Sequence, residues 1–103
     1  MTAMIERIRI EVLYDAPLRD TVVGIVSGAG AKGYTLFNAS GGMGGGGRWQ
    51  EDQVTGADTK ALLLTIVSPE IADAIVEALH PLLETHGLLI LKSAIEVVRH
   101  DKF

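Results

Sequence analysis

The sequence predicts an α+β fold in the order β-α-β-β-α-β, with four antiparallel strands in one sheet and two helices on one of its faces. Three observations carry this prediction. Residues 5–14 alternate with period two. Two later segments repeat their apolar residues at helical spacing, each behind a proline and ahead of a glycine. Short apolar runs bounded by turn-forming residues lie between and after those helices, where strands are needed to complete a sheet. At 103 residues the chain is expected to be one domain, 1–103, because a second core would not fit.

The first strand sets Ile8, Ile10, Val12 and Tyr14 on one face and Arg7, Arg9, Glu11 and Leu13 on the other. Asp15-Ala-Pro17 then reads as a cap with proline in the first turn. Leu18, Val22, Ile25, Val26 and Ala29 recur on one helical side until Gly28 and Gly30 stop it. Residues 34–39 are short, aromatic and bounded by glycines, which predicts a second strand. Residues 40–58 form a polar, glycine-rich excursion. Residues 60–67 are a third strand, and Ser68-Pro69-Glu70 opens a second helix carrying Ile71, Ile75, Leu79, Leu82 and Leu83. Pro81 predicts a kink in that helix and Gly87 its end. Residues 88–91 and 94–98 complete a fourth strand, with a bend expected at Lys92-Ser93. This order of parts is the ferredoxin-like arrangement.

Two helices cover only one face of such a sheet. The third and fourth strands nevertheless contain nearly continuous apolar runs, Ala61-Leu-Leu-Leu64 and Leu88-Leu-Ile-Leu91, where a half-exposed sheet would alternate. Apolar residues make up 48% of the chain and its mean hydropathy is +0.29, high for a small monomer. The second face is therefore expected to pack against further copies of the chain, as an obligate homo-oligomer.

Charge and composition exclude several classes of function. Nine Lys plus Arg against thirteen Asp plus Glu give a net charge of −4, with no basic run to track phosphates, so nucleic acid is not an expected partner. The chain has no Cys, hence no disulfide, thiolate nucleophile or cysteine zinc site. The N-terminal residues lack the core of a signal peptide and no apolar run approaches the length of a membrane span, so a cytoplasmic protein is expected. No catalytic residues are assigned: there is no Gly-x-Ser-x-Gly, and His80, His86 and His100 stand apart in sequence, His86 near a helix C-terminus that favours a cation. Glu51-Asp52 reads as a solvated charge pair. An enzyme is not expected, and neither is a metal ligand set.

Two glycine-rich segments need a decision. Gly28-Ala-Gly30-Ala-Lys-Gly33 fits G-x-G-x-x-G, but it follows a helix and opens a strand, the reverse of a dinucleotide-binding turn. It reads as a helix stop with Lys32 exposed. Gly41-Gly-Met43-Gly-Gly-Gly-Gly47-Arg48-Trp49 lacks the Gly-Lys-Ser/Thr of a phosphate loop. Its bland reading is a hairpin connection that cannot pack on its own. The preferred reading is a ligand-responsive or partner-binding loop over 41–56, because Arg48 and Trp49 gain only when something receives them. Lys60, Arg99 and Lys102 are cations at strand ends, where they are either solvated or positioned to receive phosphate.

The chain resembles the PII signalling family, and its PII-like branch in particular. The resemblance rests on Gly33-Tyr-Thr35 entering a strand that runs into a long glycine-rich loop, on Ile71-Ala-Asp-Ala-Ile-Val-Glu-Ala-Leu79, and on Ala94-Ile-Glu-Val-Val-Arg99. It implies a homotrimer that binds adenine nucleotides in clefts between subunits and signals through the long T-loop to a protein target. The nucleotide residues it implies are Thr35, Gly41, Gly42, Lys60, Ile66, Gly87 and Arg99. Gly46, Gly47, Arg48 and Trp49 are implied for an anion or a partner. Departures accompany it. Leu88 and Asp101 replace cations of the nitrogen-signalling members, no glutamine stands at the loop base for 2-oxoglutarate and magnesium, and no tyrosine lies between Gly41 and Asp58. Fewer phosphate donors favour ADP or AMP over ATP, since each charge-assisted contact is worth about 1.5–3 kcal/mol. The departures resemble the PII-like proteins of inorganic-carbon uptake and carboxysomes, which implies bicarbonate as a further ligand and a membrane transporter or carboxysome component as target. The alternative is a trimeric CutA-like metal-tolerance protein or a small ferredoxin-like enzyme.

Overall fold

A computed structural model of the chain describes residues 2–44, 47–50 and 59–100. Strand β1 (Thr2–Asp15) leads through a 3₁₀ turn (Ala16–Leu18) into helix α1 (Arg19–Gly28) and strand β2 (Thr35–Asn38). Strands β3 (Gly41–Gly44) and β4 (Gly47–Gln50) follow, then β5 (Lys60–Val67), helix α2 (Pro69–Thr85) and β6 (Leu89–His100). The main sheet has the order β2-β5-β1-β6 with every neighbour antiparallel. This is the ferredoxin-like topology that the sequence predicts.

The core lies between this sheet and the two helices, and the pleat decides which residues enter it. Ile10, Val12 and Tyr14 of β1 are buried on the helix side, as their alternation predicts. On β5 the apolar run divides. Ala61, Leu63, Thr65 and Val67 are buried, and Lys60, Leu62, Leu64 and Ile66 between them are half-buried. Val22 and Val26 of α1 and Ala72, Ile75 and Leu79 of α2 close the core from above. The helix-free face is open. Leu13 pairs in register with both Leu62 and Leu89, Leu62 pairs with Phe37, and Leu91 lies opposite Glu11 on the same face. Phe37 is 48% exposed and Leu89 and Leu91 are 50% exposed, so the unmet burial expected from the runs is concentrated here.

The helix ends show which local signals acted. Ser68 caps α2 by accepting a hydrogen bond at Oγ from the Ile71 amide at 3.4 Å. The sequence predicts Asp15 as the cap of the first helix, but it makes no side-chain cap bond. Its carboxylate accepts from Lys60 Nζ instead, because their strands place the two residues opposite each other. Gly30 follows α1 at φ +117°, where a Cβ would also stand 3.4 Å from Ile71 Cγ1. Gly87 takes φ +61° just past the end of α2. That helix runs on through Pro81, and β6 is uninterrupted at Lys92-Ser93, where the sequence predicts a bend.

The described part of the excursion carries pairing of its own. Residues 41–44 and 47–50 pair as a two-stranded antiparallel sheet, with Gly42 opposite Trp49 and Met43 opposite Arg48. A ladder needs only backbone groups, so glycine weakens such a hairpin by entropy without removing its bonds. Residues 45, 46 and 51–58 lie outside the described residues, and with them much of the ligand-responsive or partner-binding loop expected over 41–56.

Neighbouring leucines on opposite faces give a direct test. Leu63→Ala should cost about 2–5 kcal/mol in urea unfolding because it opens a cavity in the core, whereas Leu62→Ala should cost much less in the isolated subunit. Tyr14 gives a pH test. Burial holds its phenol above the usual 10.0, with Arg19 partly opposing. The fold thus favours the protonated form, and this contribution is complete below pH 10 and lost as pH rises through the raised value. Urea midpoints should fall above about pH 10 in the native chain and fall less in Tyr14→Phe.

Candidate functional site

At the end of the sheet where β5 gives way to α2, a cleft of about 540 Å³ opens between the α1–β2 connection and the open sheet face. Leu64 and Ile66 of β5 provide an apolar floor, extended by Val67 and by Ile71 of α2. Tyr34, 43% exposed, and Thr35 stand at the mouth of β2. Arg7 from β1, Lys32 from the connection and Arg99 from β6 also line it. These are three of the nine Lys and Arg in the chain, and no Asp or Glu of the described residues joins them in the lining. In a chain of net charge −4 this is a local positive site over an apolar floor, suited to a ligand with one flat apolar part and one anionic part.

The wall at Gly33 is fixed by a buried hydroxyl. Thr65 is the one buried polar side chain among the described residues, at 2% exposed, in a strand otherwise rich in leucine. Its Oγ1 donates to the Gly33 carbonyl at 2.7 Å. The bond ties the α1–β2 connection to β5 directly before Tyr34 and Thr35, and so sets the width of the cleft.

The implied nucleotide residues fall into two groups. Thr35, Ile66 and Arg99 come together in this cleft. Lys60 does not. It starts β5 six residues from Ile66, about 20 Å along an extended strand, and is paired with Asp15. Gly87 precedes β6, whose start pairs with Leu13, and Gly41 and Gly42 follow the end of β2, whose Asn38 pairs with Ala61. The register therefore puts Gly41, Gly42, Lys60 and Gly87 at the opposite end of the sheet. Gly47, Arg48 and Trp49 belong to β4, and Gly46 lies outside the described residues. Sequence reasoning missed Arg7, Lys32 and Tyr34. Their signals were present in the period-two face of β1 and in the segment 28–33, which is no dinucleotide turn yet supplies Gly30, Lys32 and Gly33 to the lining.

Comparison with known proteins agrees with this architecture. The model of the family "Nitrogen regulatory protein P-II" matches residues 7–102, and the chain belongs to that family. By fold it is similar to CPII, a nitrogen regulatory PII-like protein from Thiomonas intermedia K12 solved with ADP, AMP and bicarbonate. The TM-score is 0.84 at 20% identity, covering 94% of this chain and 92% of that one. It is also similar to a protein from Thermus thermophilus described as PII-like, with TM-score 0.77, 23% identity and 91% of each chain covered. The B. subtilis GlnK–ATP complex is more distant, at TM-score 0.62 and 14% identity over 87% of this chain and 82% of that one. No curated protein matches the chain by sequence. No helix among the described residues is long and apolar enough to cross a membrane, and no three of their His, Cys, Asp or Glu side chains are grouped to hold a metal ion.

The Thr65 tie is testable by near-isosteric replacement. Thr65→Val should leave the Gly33 carbonyl without this donor, cost about 1 kcal/mol in unfolding, and raise hydrogen exchange at residues 32–35. Thr65→Ser should retain the bond and leave exchange there unchanged.

Proposed function

We propose that this protein is a PII-like regulator, not an enzyme, that binds an adenine nucleotide in clefts completed between the subunits of a homotrimer. The observation that carries this reading is the cationic cleft lined by Thr35, Ile66 and Arg99 over an apolar floor. The separation of the implied residues supports the trimer. Gly41, Gly42, Lys60 and Gly87 are at the wrong end of the same sheet to reach this cleft, and a neighbouring subunit packed against the open face would bring its own set to it. The half-exposed Phe37, Leu89 and Leu91 give that packing an apolar surface to bury.

ADP or AMP is favoured over ATP. Leu88, at the position of a phosphate-binding lysine in the nitrogen-signalling members, is buried and carries no charge to the site, and Asp101 lies outside the described residues. CPII was solved with ADP, AMP and bicarbonate, and bicarbonate is proposed here as a second ligand, held near the glycine-rich hairpin and Arg48. The hairpin and the residues after it form the T-loop, which signals in the cytoplasm to a protein target in inorganic-carbon metabolism, a membrane transporter or carboxysome component.

Light scattering should give a trimer at micromolar concentration, and Leu62→Ala should shift it toward smaller species. Calorimetry should show ADP and AMP binding more tightly than ATP. Arg99→Ala should weaken ADP by about 1.5–3 kcal/mol while leaving adenosine nearly unchanged, and equal losses for both would remove Arg99 from the phosphate site.

A further inference from the structure

The cleft holds two cations that the family resemblance does not assign, Arg7 and Lys32. They come from elements far apart in sequence. Arg7 is on the open face of β1, where its register partners are Ile95 of β6 and, two residues on, the Arg9–Ile66 pair that leads into the apolar floor. Lys32 lies in the α1–β2 connection, one residue before the Gly33 carbonyl that Thr65 fixes. Both line the same cleft as Thr35, Ile66 and Arg99.

Their neighbours on β1 clarify the choice. Arg9, next on the same face, forms an ion pair with Glu11 at 3.5 Å and does not line the cleft. Arg7 donates from Nη1 to the Glu6 carbonyl at 2.8 Å, a backbone contact that steadies a guanidinium lining the cleft. A guanidinium with directed donors and an ammonium on a short glycine-flanked loop suit a tetrahedral oxyanion, the first by its hydrogen-bond geometry and the second as a mobile point charge. No carboxylate stands among the described residues that line the cleft, so the charge they present to an anion is positive.

We infer that Arg7 and Lys32 bind the phosphate groups of the cleft's ligand, and so take over phosphate recognition where Leu88 gives none. The inference rests on the nucleotide reading of this cleft but makes a separable claim about which residues hold the anion. It also predicts that inorganic pyrophosphate, which has no apolar part, competes for the same residues.

The test measures ADP, adenosine and inorganic pyrophosphate binding by calorimetry to the native chain and to Arg7→Gln, Arg7→Lys and Lys32→Gln. The expected result is a loss of roughly three- to tenfold in ADP and pyrophosphate affinity for each glutamine variant, with partial recovery in Arg7→Lys. Adenosine affinity should stay unchanged and reports that the cleft is still folded. If native protein binds ADP and the glutamine variants bind it equally well, Arg7 and Lys32 do not hold phosphate and the inference is overturned while the nucleotide reading stands. If native protein binds pyrophosphate in a manner that depends on Arg7 and Lys32 but binds neither ADP nor adenosine, the anion site stands and the nucleotide reading fails. Loss of adenosine together with ADP in Arg7→Gln and in Arg7→Lys would also overturn the inference, since a phosphate contact cannot affect a ligand that has none.

Discussion

A four-stranded sheet has two faces, and this chain supplies helices for only one of them. Val22, Val26, Ala72, Ile75 and Leu79 close the core on the helix side, which leaves Leu62, Leu64, Phe37, Leu89 and Leu91 on a surface that water meets at an unfavourable cost of about 25 cal/mol per Å². Every proposal about assembly follows from that imbalance. The pleat makes it unavoidable, because a run such as Ala61-Leu-Leu-Leu64 must send every second side chain to the open face. The same open face ends in the cleft, so the surface that demands a partner and the surface that offers a binding site are continuous along β5.

The cleft in turn depends on where the two crossovers end. Helix α1 stops at a glycine with positive φ beside Ile71, and α2 starts at the Ser68 cap, so both helix termini meet at the same end of the sheet. The loop between them and β5 is then fixed by Thr65, a polar residue whose burial is compensated by one hydrogen bond to Gly33. Charge is added from outside this frame, by Arg7 and Arg99 on the outer strands and by Lys32 on the loop. The site is thus a product of topology, with its cations distant in sequence and adjacent in the fold.

Most of the fold was legible because its signals are local. Period two in β1, the Ser68-Pro69 start of α2 and the glycine stops each depend on a few neighbouring residues, and the structure follows them. Asp15 was misread because a long-range partner, Lys60, competed for its carboxylate with the helix cap. The continuous strand at Lys92-Ser93 is explained by pairing along the whole of β1, from Arg9 and Ile10, which no local pattern displays. For the site, Thr35, Ile66 and Arg99 were implied by resemblance, whereas Arg7 and Lys32 appeared only when the strands were laid side by side. The pairing of residues 41–44 with 47–50 has no side-chain pattern to set its register, because glycine carries almost none and its pairing is a backbone property.

The central claim is that one binding site is shared between two subunits, and a complementation experiment tests it most directly. Arg99→Ala damages one half, and Gly87→Asp places a carboxylate in the other, where no atom lies within 4 Å of the new Cβ and φ of +61° strains aspartate less than most other side chains. Each variant alone should bind ADP poorly. After the two are unfolded and refolded together, a fraction of the clefts should combine an intact half from each chain, and tight ADP binding should return in calorimetry. A mixture that binds no better than its components would place the whole site within one subunit and contradict the account.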